Sequence, residues 1–311
     1  MEWHITGASG FIGSHIANHL AKSGENVVAY YRTPPSDPIR IANLALCVRH
    51  EQIDLVDEIP DFSSADRVLH FAADMGGVGY FHAHDLWPYI ANSKMTFNIL
   101  QAIQAFEVPR SFMASSACAY PIQFQQSKRH TLPLSEWMLD NGTPDQMYGR
   151  EKLAMIRLSE RMTQDVRVGI LHTIYGVGQE SVGERVKFPV AAAKKALDAR
   201  ASGVINCWGD GSQKRSYLYV DDAVAKIMAI MESDIYQGPV NVGKTGSISC
   251  NDVLNLCAQI VGVKPAFTYS ADMPSGVMSR DCDNSKFNEL HGDMDRISYQ
   301  EGFSRLIQAL L

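Results

Sequence analysis

The chain has 311 residues, of which 46% are hydrophobic and 20% charged, enough for a folded core built as one large domain or two smaller ones. Its formal net charge of -6 argues against a broad nucleic-acid surface, although a small anionic ligand needs only a few local cations. No apolar run reaches the about 20 residues that cross a bilayer, so no membrane span is expected.

Met1-Glu2-Trp3-His4-Ile5 leads into a first strand without the basic segment, apolar stretch and cleavage site of a secretory signal, which predicts a cytoplasmic protein. The glycine turn Gly7-Ala8-Ser9-Gly10-Phe11-Ile12-Gly13 follows, then a helical pattern over His15–Lys22. Further strand-like runs lie at Asn26–Tyr31, Arg67–Phe71, Ser111–Ala114 and Val166–Ile170, with helical patterns at Asn92–Phe106 and Tyr148–Thr163. Strand alternating with helix predicts an α/β fold, a doubly wound parallel sheet covered on both faces. Ligands of such sheets sit outside the carboxyl ends of the strands, so the turns Gly7–Gly13, Asp74–Gly79 and Ser115–Pro121 are expected to share one cleft.

Beyond about Ile174 glycine and charge become dense, and a helix over Val190–Ala199 opens a smaller α+β part. The expected division gives residues 1–173, with a returning segment at about 216–243, to the large domain, and 174–215 with 244–311 to the smaller one. Six cysteines (Cys47, Cys118, Cys207, Cys250, Cys257, Cys282) show no paired CxxC spacing. They read as free thiols of a reducing compartment, and no metal site is expected.

Three glycines between a strand and a helix suit a diphosphate: Gly7, Gly10 and Gly13 admit close backbone approach, and the helix opening at Phe11 and Ile12 offers free N–H groups. The residue closing the second strand normally selects between NAD and NADP. Here that strand ends Ala29-Tyr30-Tyr31-Arg32, without an acid, and Arg32 leans toward NADP. Asp54-Leu55, after a third short strand, is placed to hold the adenine edge.

Tyr148 and Lys152 stand four apart on an expected helix and share a face. An ammonium beside a phenol lowers the phenol's pKa and makes it a usable base for oxidising an alcohol, and Ser116 is placed to hydrogen-bond the same hydroxyl. Gly7–Gly13, Phe71-Ala72-Ala73, Ser116 and Tyr148/Lys152 together resemble the extended short-chain dehydrogenase/reductase family over essentially the whole chain. The resemblance implies a Rossmann fold, with Ala72 and Ala73 beside a nicotinamide cofactor (NAD or NADP) that is tightly bound and recycled. It further implies nucleotide-diphosphate-sugar substrates and a homodimer formed through the helices at Asn92–Phe106 and Tyr148–Thr163.

A ketone at carbon 4 of a hexose acidifies the hydrogens on carbons 3 and 5, and inverting either needs a base on one face and an acid on the other. Ala73-Asp74-Met75-Gly76-Gly77-Val78-Gly79, Ser115-Ser116-Ala117-Cys118-Ala119-Tyr120-Pro121 and Trp208-Gly209-Asp210-Gly211-Ser212-Gln213-Lys214-Arg215-Ser216 resemble the GDP-mannose 3,5-epimerase branch. That resemblance implies Cys118 and Lys187 as the acid/base pair. It also implies substrate contacts at Gly76, Gly77, Ser116, Thr173, Lys187, Lys195, Gln213, Arg215 and Arg280, on a substrate most simply GDP-linked. Thr173 stands where the branch has asparagine, and Tyr31 where it has an acid. The nearest competitor is a fucose-synthase type, an epimerase that also reduces a GDP-4-keto-6-deoxy sugar. Its histidine acid three residues before the proline is replaced here by Val186, and no histidine lies between His172 and His291. Behind it stand a simple nucleotide-sugar 4-epimerase or dehydratase, with Cys118 inert, and a non-catalytic nucleotide sensor. The intact set of Ser116, Tyr148 and Lys152 argues against the sensor, which has no need of hydride chemistry.

Overall fold

The computed structural model describes residues 1–127, 132–273 and 276–311. Its elements run β1 (Glu2–Thr6), α1 (Phe11–Lys22), β2 (Asn26–Tyr31), α2 (Pro38–Leu44), β3 (Arg49–Gln52), β4 (Arg67–His70), α3 (Val78–Ala83), α4 (Leu86–Ala105), β5 (Arg110–Ser116), α5 (Met147–Ser159) and β6 (Asp165–Leu171). They continue as β7 (Thr173–Tyr175), α6 (Phe188–Ser202), β8 (Val204–Trp208), β9 (Lys214–Arg215), β10 (Tyr217–Tyr219), α7 (Val220–Glu232), β11 (Val240–Val242) and β12 (Ile248–Ser249). The chain closes with α8 (Cys250–Val261), β13 (Ala266–Ser270), β14 (Ser279–Arg280), α9 (Ser285–His291) and α10 (Tyr299–Ala309).

Seven strands form one parallel sheet in the order β11-β6-β5-β4-β1-β2-β3, the doubly wound topology expected. Successive side chains along a strand point to opposite faces, so the central strands feed both layers of the core. In β2, Val27 and Ala29 enter the core beneath α1 and α7, while Val28 and Tyr30 enter the core beneath α4 and α5. In β5, Phe112 and Met113 divide the same way. The strand order reverses between β1 and β4, and a cleft opens at the carboxyl ends on such a reversal. The glycine turn, the segment after β4 and the segment after β5 all emerge there.

Several boundaries differ from the sequence pattern. β5 runs on to Ser116, so that serine ends a strand. α4 begins at Leu86 rather than Asn92, with Pro88 tolerated in a first turn that needs no N–H from it. α6 begins at Phe188 because Pro189 suits the first helical positions. α5 stops at Ser159, freeing the chain to enter β6 at Asp165. Part of Asp74–Gly79, expected as a turn, already opens α3. Within 216–232, β10 pairs with β7 in a separate parallel pair, while α7 packs against β5 and β6, and β11 is the strand that joins the large sheet.

The C-terminal segments build a small layer in which β9 pairs antiparallel with β12 and parallel with β14, β8 pairs with β13, and α6, α8 and α10 pack together. Buried Lys226 of α7 ties this layer down, its Nζ 2.6 Å from Asp295 Oδ1 and donating to the Gly243 carbonyl at 2.7 Å. No helix among the described residues is long and apolar enough to cross a membrane.

Candidate active site

Gly7 takes a left-handed backbone (φ +69°), and a Cβ there would fall 2.5 Å from the Ala72 nitrogen. Only glycine lets the turn lie against the segment after β4. Gly13 likewise lies against the Gly7 carbonyl, and Gly10 opens α1 without any side-chain cap. The first N–H groups of α1, at Phe11 and Ile12, thus open beside a glycine turn lying against Ala72, an arrangement that fits a dinucleotide diphosphate. At the far edge the Arg32 guanidinium, two-thirds exposed, lies 4.0 Å from the Asp54 carboxylate. Leu55 is buried beside it, its carbonyl accepting from Asn98 Nδ2 at 2.9 Å.

Tyr148, in the first turn of α5, is 3% exposed and lies against the Phe81 ring, with centroids 4.6 Å apart. Lys152 follows one turn later, its Nζ 5.6 Å from the Tyr148 centroid. Ser115 Oγ donates to the Lys152 carbonyl at 3.2 Å and fastens α5 to β5. Burial pushes Tyr148 well above its ordinary pKa, Cys118 and Glu151 add to that, and a hydrogen bond with Ser116 pulls the other way. The ammonium is engaged elsewhere: Glu151 Oε2 lies 3.2 Å from Lys152 Nζ, and both side chains are almost fully buried. Thr96 Oγ1 of α4 donates to the other Glu151 oxygen at 3.0 Å.

Cys118 sits in a single 3-10 turn after Ser116, whose Oγ accepts from the Cys118 N–H at 3.2 Å. With Met75, its side chain packs against the cluster of Tyr80, Phe81 and Tyr148. Lys187 reaches the same place from the N-terminus of α6, its Nζ 3.5 Å from Met75 Sδ. Burial pulls the Lys187 amine down to about 8, opposed by its interaction with Cys118. Arg280 closes the group: its Nη1 donates to Cys118 Sγ at 3.0 Å, its Nε to Gln125 Oε1, and its Nη2 lies 3.3 Å from the Asp145 carboxylate. A thiol, an amine and a phenol therefore converge on one side-chain cluster built around Met75, Tyr80 and Phe81.

The NAD dependent epimerase/dehydratase family model matches residues 3–243. The chain belongs to that family. GDP-mannose 3,5-epimerase 1 of Oryza sativa subsp. indica is 32% identical over 308 residues, spanning 96% of this chain and 78% of the relative. GDP-mannose 3,5-epimerase of Arabidopsis thaliana is 31% identical, spanning 96% and 79%. Among solved structures, UDP-glucose 4-epimerase of Thermotoga maritima with UDP-glucose superposes with a TM-score of 0.84 at 21% identity, over 100% of this chain and 98% of that one. The chain is accordingly an NAD-dependent enzyme of the epimerase/dehydratase kind.

The remaining expected contacts lie partly in the C-terminal layer and partly on β7 and the segment after β4. Arg215 and Arg280 are register partners on β9 and β14, so two cations stand side by side at the pocket. Arg215 donates to the Lys214 and Val277 carbonyls, at 2.7 and 2.8 Å. Gln213 is buried, its carbonyl accepting from the Cys250 N–H at 2.9 Å. Lys195 Nζ donates to the Asn206 carbonyl at 2.6 Å and lies over the Trp208 ring, 5.8 Å from its centroid. Thr173 opens β7 opposite Tyr217. Gly76 and Gly77 lie between Met75 and α3. Among the described residues no group of three or more metal-ligating side chains is found.

The sequence pattern missed Glu151, Asp145, Gln125, Asp74, Tyr80 and Arg185 as parts of the site. Glu151 had a local signal, since it adjoins Lys152 inside the helix. Asp145 and Gln125 had none, because their partner Arg280 lies 135 and 155 residues away.

Proposed function

We propose that the protein is a nucleotide-sugar epimerase of the GDP-mannose 3,5-epimerase type. It oxidises carbon 4 of a GDP-hexose, exchanges protons at carbon 3, carbon 5 or both, and reduces the ketone again. One observation carries the reading: Cys118, Lys187 and Tyr148 meet around Met75, so two proton carriers stand beside a buried phenol. The names of the rice and Arabidopsis relatives support the GDP-linked substrate.

A nicotinamide dinucleotide held by the Gly7–Gly13 turn would supply the hydride acceptor when bound. Tyr148 takes the proton of the carbon 4 hydroxyl, and Ser116 orients that oxygen. Cys118 removes the acidified ring proton and Lys187, still an ammonium at neutral pH, delivers one from the other face. Arg215 and Arg280 hold the diphosphate by charge-assisted hydrogen bonds. Tyr148 returns its proton as the alcohol re-forms, so the cycle consumes no cofactor.

In this reading residues 1–173 with 216–243 bind the cofactor and 174–215 with 244–311 bind the sugar nucleotide. Leu86, Trp87, Ile90 and Phe97 expose an apolar stripe along α4, which supports a homodimer through α4 and α5. Six free cysteines support a reducing cytoplasm.

The deciding experiment is incubation with GDP-mannose in heavy water followed by NMR of the sugar. Deuterium at carbon 3 or 5 is the expected result, lost in Cys118→Ala while cofactor binding persists. Exchange at full rate in Cys118→Ala overturns the assignment. The exposed Arg32 favours one second reading, a fucose-synthase type that also reduces its product, and stoichiometric NADPH consumption identifies it.

A further inference from the structure

We infer that Arg185 is a positioning residue that latches the loop before α6 onto the segment after β4, and thereby holds the Lys187 ammonium at the reacting face. The inference rests on Lys187 being a proton carrier, as proposed above, and adds the device that aims it.

Lys187 is poorly restrained by its own element. It is the N-cap of α6, makes no side-chain cap, and has an extended backbone (φ -92°, ψ 159°). The loop leading to it is open to solvent at Val182, Gly183 and Glu184. A lysine carries four rotatable methylenes, so an unrestrained backbone would spread its Nζ over several ångströms. Proton transfer needs the reacting atoms within hydrogen-bond reach.

Arg185, two residues earlier, supplies the missing restraint. Its Nη1 is paired with Asp74 Oδ1 and also donates to the Met75 carbonyl at 2.8 Å. Its Nη2 donates to Tyr80 Oη at 2.8 Å, and its guanidinium lies over the Tyr80 ring, 4.2 Å from the centroid. Tyr80 Oη in turn donates to Asp74 Oδ1 at 2.7 Å, so three side chains close a ring of charged hydrogen bonds. The far side is anchored to α4: Asn92 Oδ1 accepts from the Asp74 N–H at 2.7 Å and Asn92 Nδ2 donates to its carbonyl at 3.0 Å. Met75 is thus gripped at its carbonyl by Arg185 while its sulfur touches Lys187 Nζ at 3.5 Å. The two segments joined by the latch are also in close contact beside it, where a Cβ on Gly77 would fall 2.7 Å from the Val186 carbonyl.

The latch separates two steps. Tyr148 and Ser116 are held by α5 and β5, which Arg185 does not touch, whereas Lys187 hangs on the latched loop. Breaking the latch therefore impairs proton exchange and spares hydride removal.

The test compares holoenzyme carrying Arg185→Ala, Arg185→Lys, Asp74→Asn or Lys187→Ala with the parent. Three quantities are read: single-turnover reduction of the bound nicotinamide, deuterium uptake into the sugar from heavy water, and the rate at which an amine-reactive reagent labels Lys187, by peptide mass spectrometry. Arg185→Ala and Asp74→Asn should lower deuterium uptake about 100-fold, the cost of a reacting group misplaced by about 1 Å. They should also speed Lys187 labelling several-fold and leave nicotinamide reduction within about twofold. Arg185→Lys, which keeps a charge but not the fork, should restore part of the exchange. Unchanged uptake and labelling in Arg185→Ala, with Lys187→Ala inactive in exchange, overturns the latch alone. Equal loss of reduction and exchange in Arg185→Ala overturns it too, as general damage to the fold. Inverted sugar still forming at the parent rate in Lys187→Ala overturns the proton-carrier reading, and the latch with it.

Discussion

The main-chain carbonyl of Cys118 lies where the side chain of any residue other than glycine at position 149 would begin. α5 therefore carries Tyr148 past the Cys118 turn at a distance that only a bare Cα permits. Gly149→Ala must push α5 or the turn aside. Overpacking of this kind costs about 1–3 kcal/mol. A lowered melting temperature together with reduced turnover is expected, whereas an unaltered melting temperature would show that the carbonyl moves freely.

Glu151 and Lys152 form an ion pair almost wholly removed from water, with Thr96 satisfying the second carboxylate oxygen. Removing one partner strands the other charge, which typically costs about 3–5 kcal/mol. Glu151→Ala should therefore lower the urea midpoint by more than Thr96→Val, which removes a single hydrogen bond to a charged group, worth about 1.5–3 kcal/mol. Comparable losses for the two variants would mean that the buried pair relaxes toward water.

The proton-transfer step should carry a basic limb. Burial holds Lys187 at about 8, below its ordinary 10.5. Below that value the ammonium dominates and can donate, and as pH rises through it the donor is lost. Deuterium uptake should therefore fall with an apparent pKa near 8, as read by NMR on buffered heavy-water incubations. Lys187→Arg keeps its charge throughout and should be slow without that limb. A limb that persists in Lys187→Arg belongs to another group.

The local parts of the site were legible because they are local. The glycine turn announces its cradle within seven residues, and the spacing of Tyr148 and Lys152 needs only helical geometry. Periodicity places those two neighbours on one face but says nothing of how deeply they are buried. Nor does it reveal that the adjoining Glu151 pairs with the lysine. The long-range partners were invisible for a related reason. Arg280 meets Cys118 across 162 residues and Arg185 meets Asp74 across 111, and no spacing rule reaches so far. Helix α4 was read short at its start, where Leu86, Trp87 and Ile90 are apolar yet exposed and blur the amphipathic signal.

Arg32 is two-thirds exposed and only loosely engaged at 4.0 Å from Asp54. A 2′-phosphate would offer it a charge-assisted hydrogen bond, worth about tenfold in affinity. Arg32→Ala should weaken NADP by about that factor in calorimetric titration and leave NAD within about twofold. Equal effects on both dinucleotides would place the 2′-position away from this side chain.

Acid should unfold the protein through its interior histidines. His70, fully buried and hydrogen-bonded to Thr6 Oγ1 at 2.7 Å, is pulled down to about 3, mainly by burial with Lys152 adding. His172 is pulled down to about 4 by burial, against a hydrogen bond to Asn241 Oδ1 at 3.1 Å, and its Nδ1 is buried with no partner. Both stay neutral in the fold while the unfolded chain protonates them near 6.5. Between 6.5 and about 4 the unfolded state thus binds more protons, so stability rises with pH there and is lost as pH falls through that window. Each group contributes a slope of up to about 1.4 kcal/mol per pH unit. His172→Leu removes one of the two, and Asn241 Oδ1 still accepts from Tyr120 at 2.8 Å, so no acceptor is stranded. Urea unfolding of that variant should lose stability more gently between neutral and mildly acidic pH than the parent does. Parallel slopes would assign the acid sensitivity to carboxylates instead.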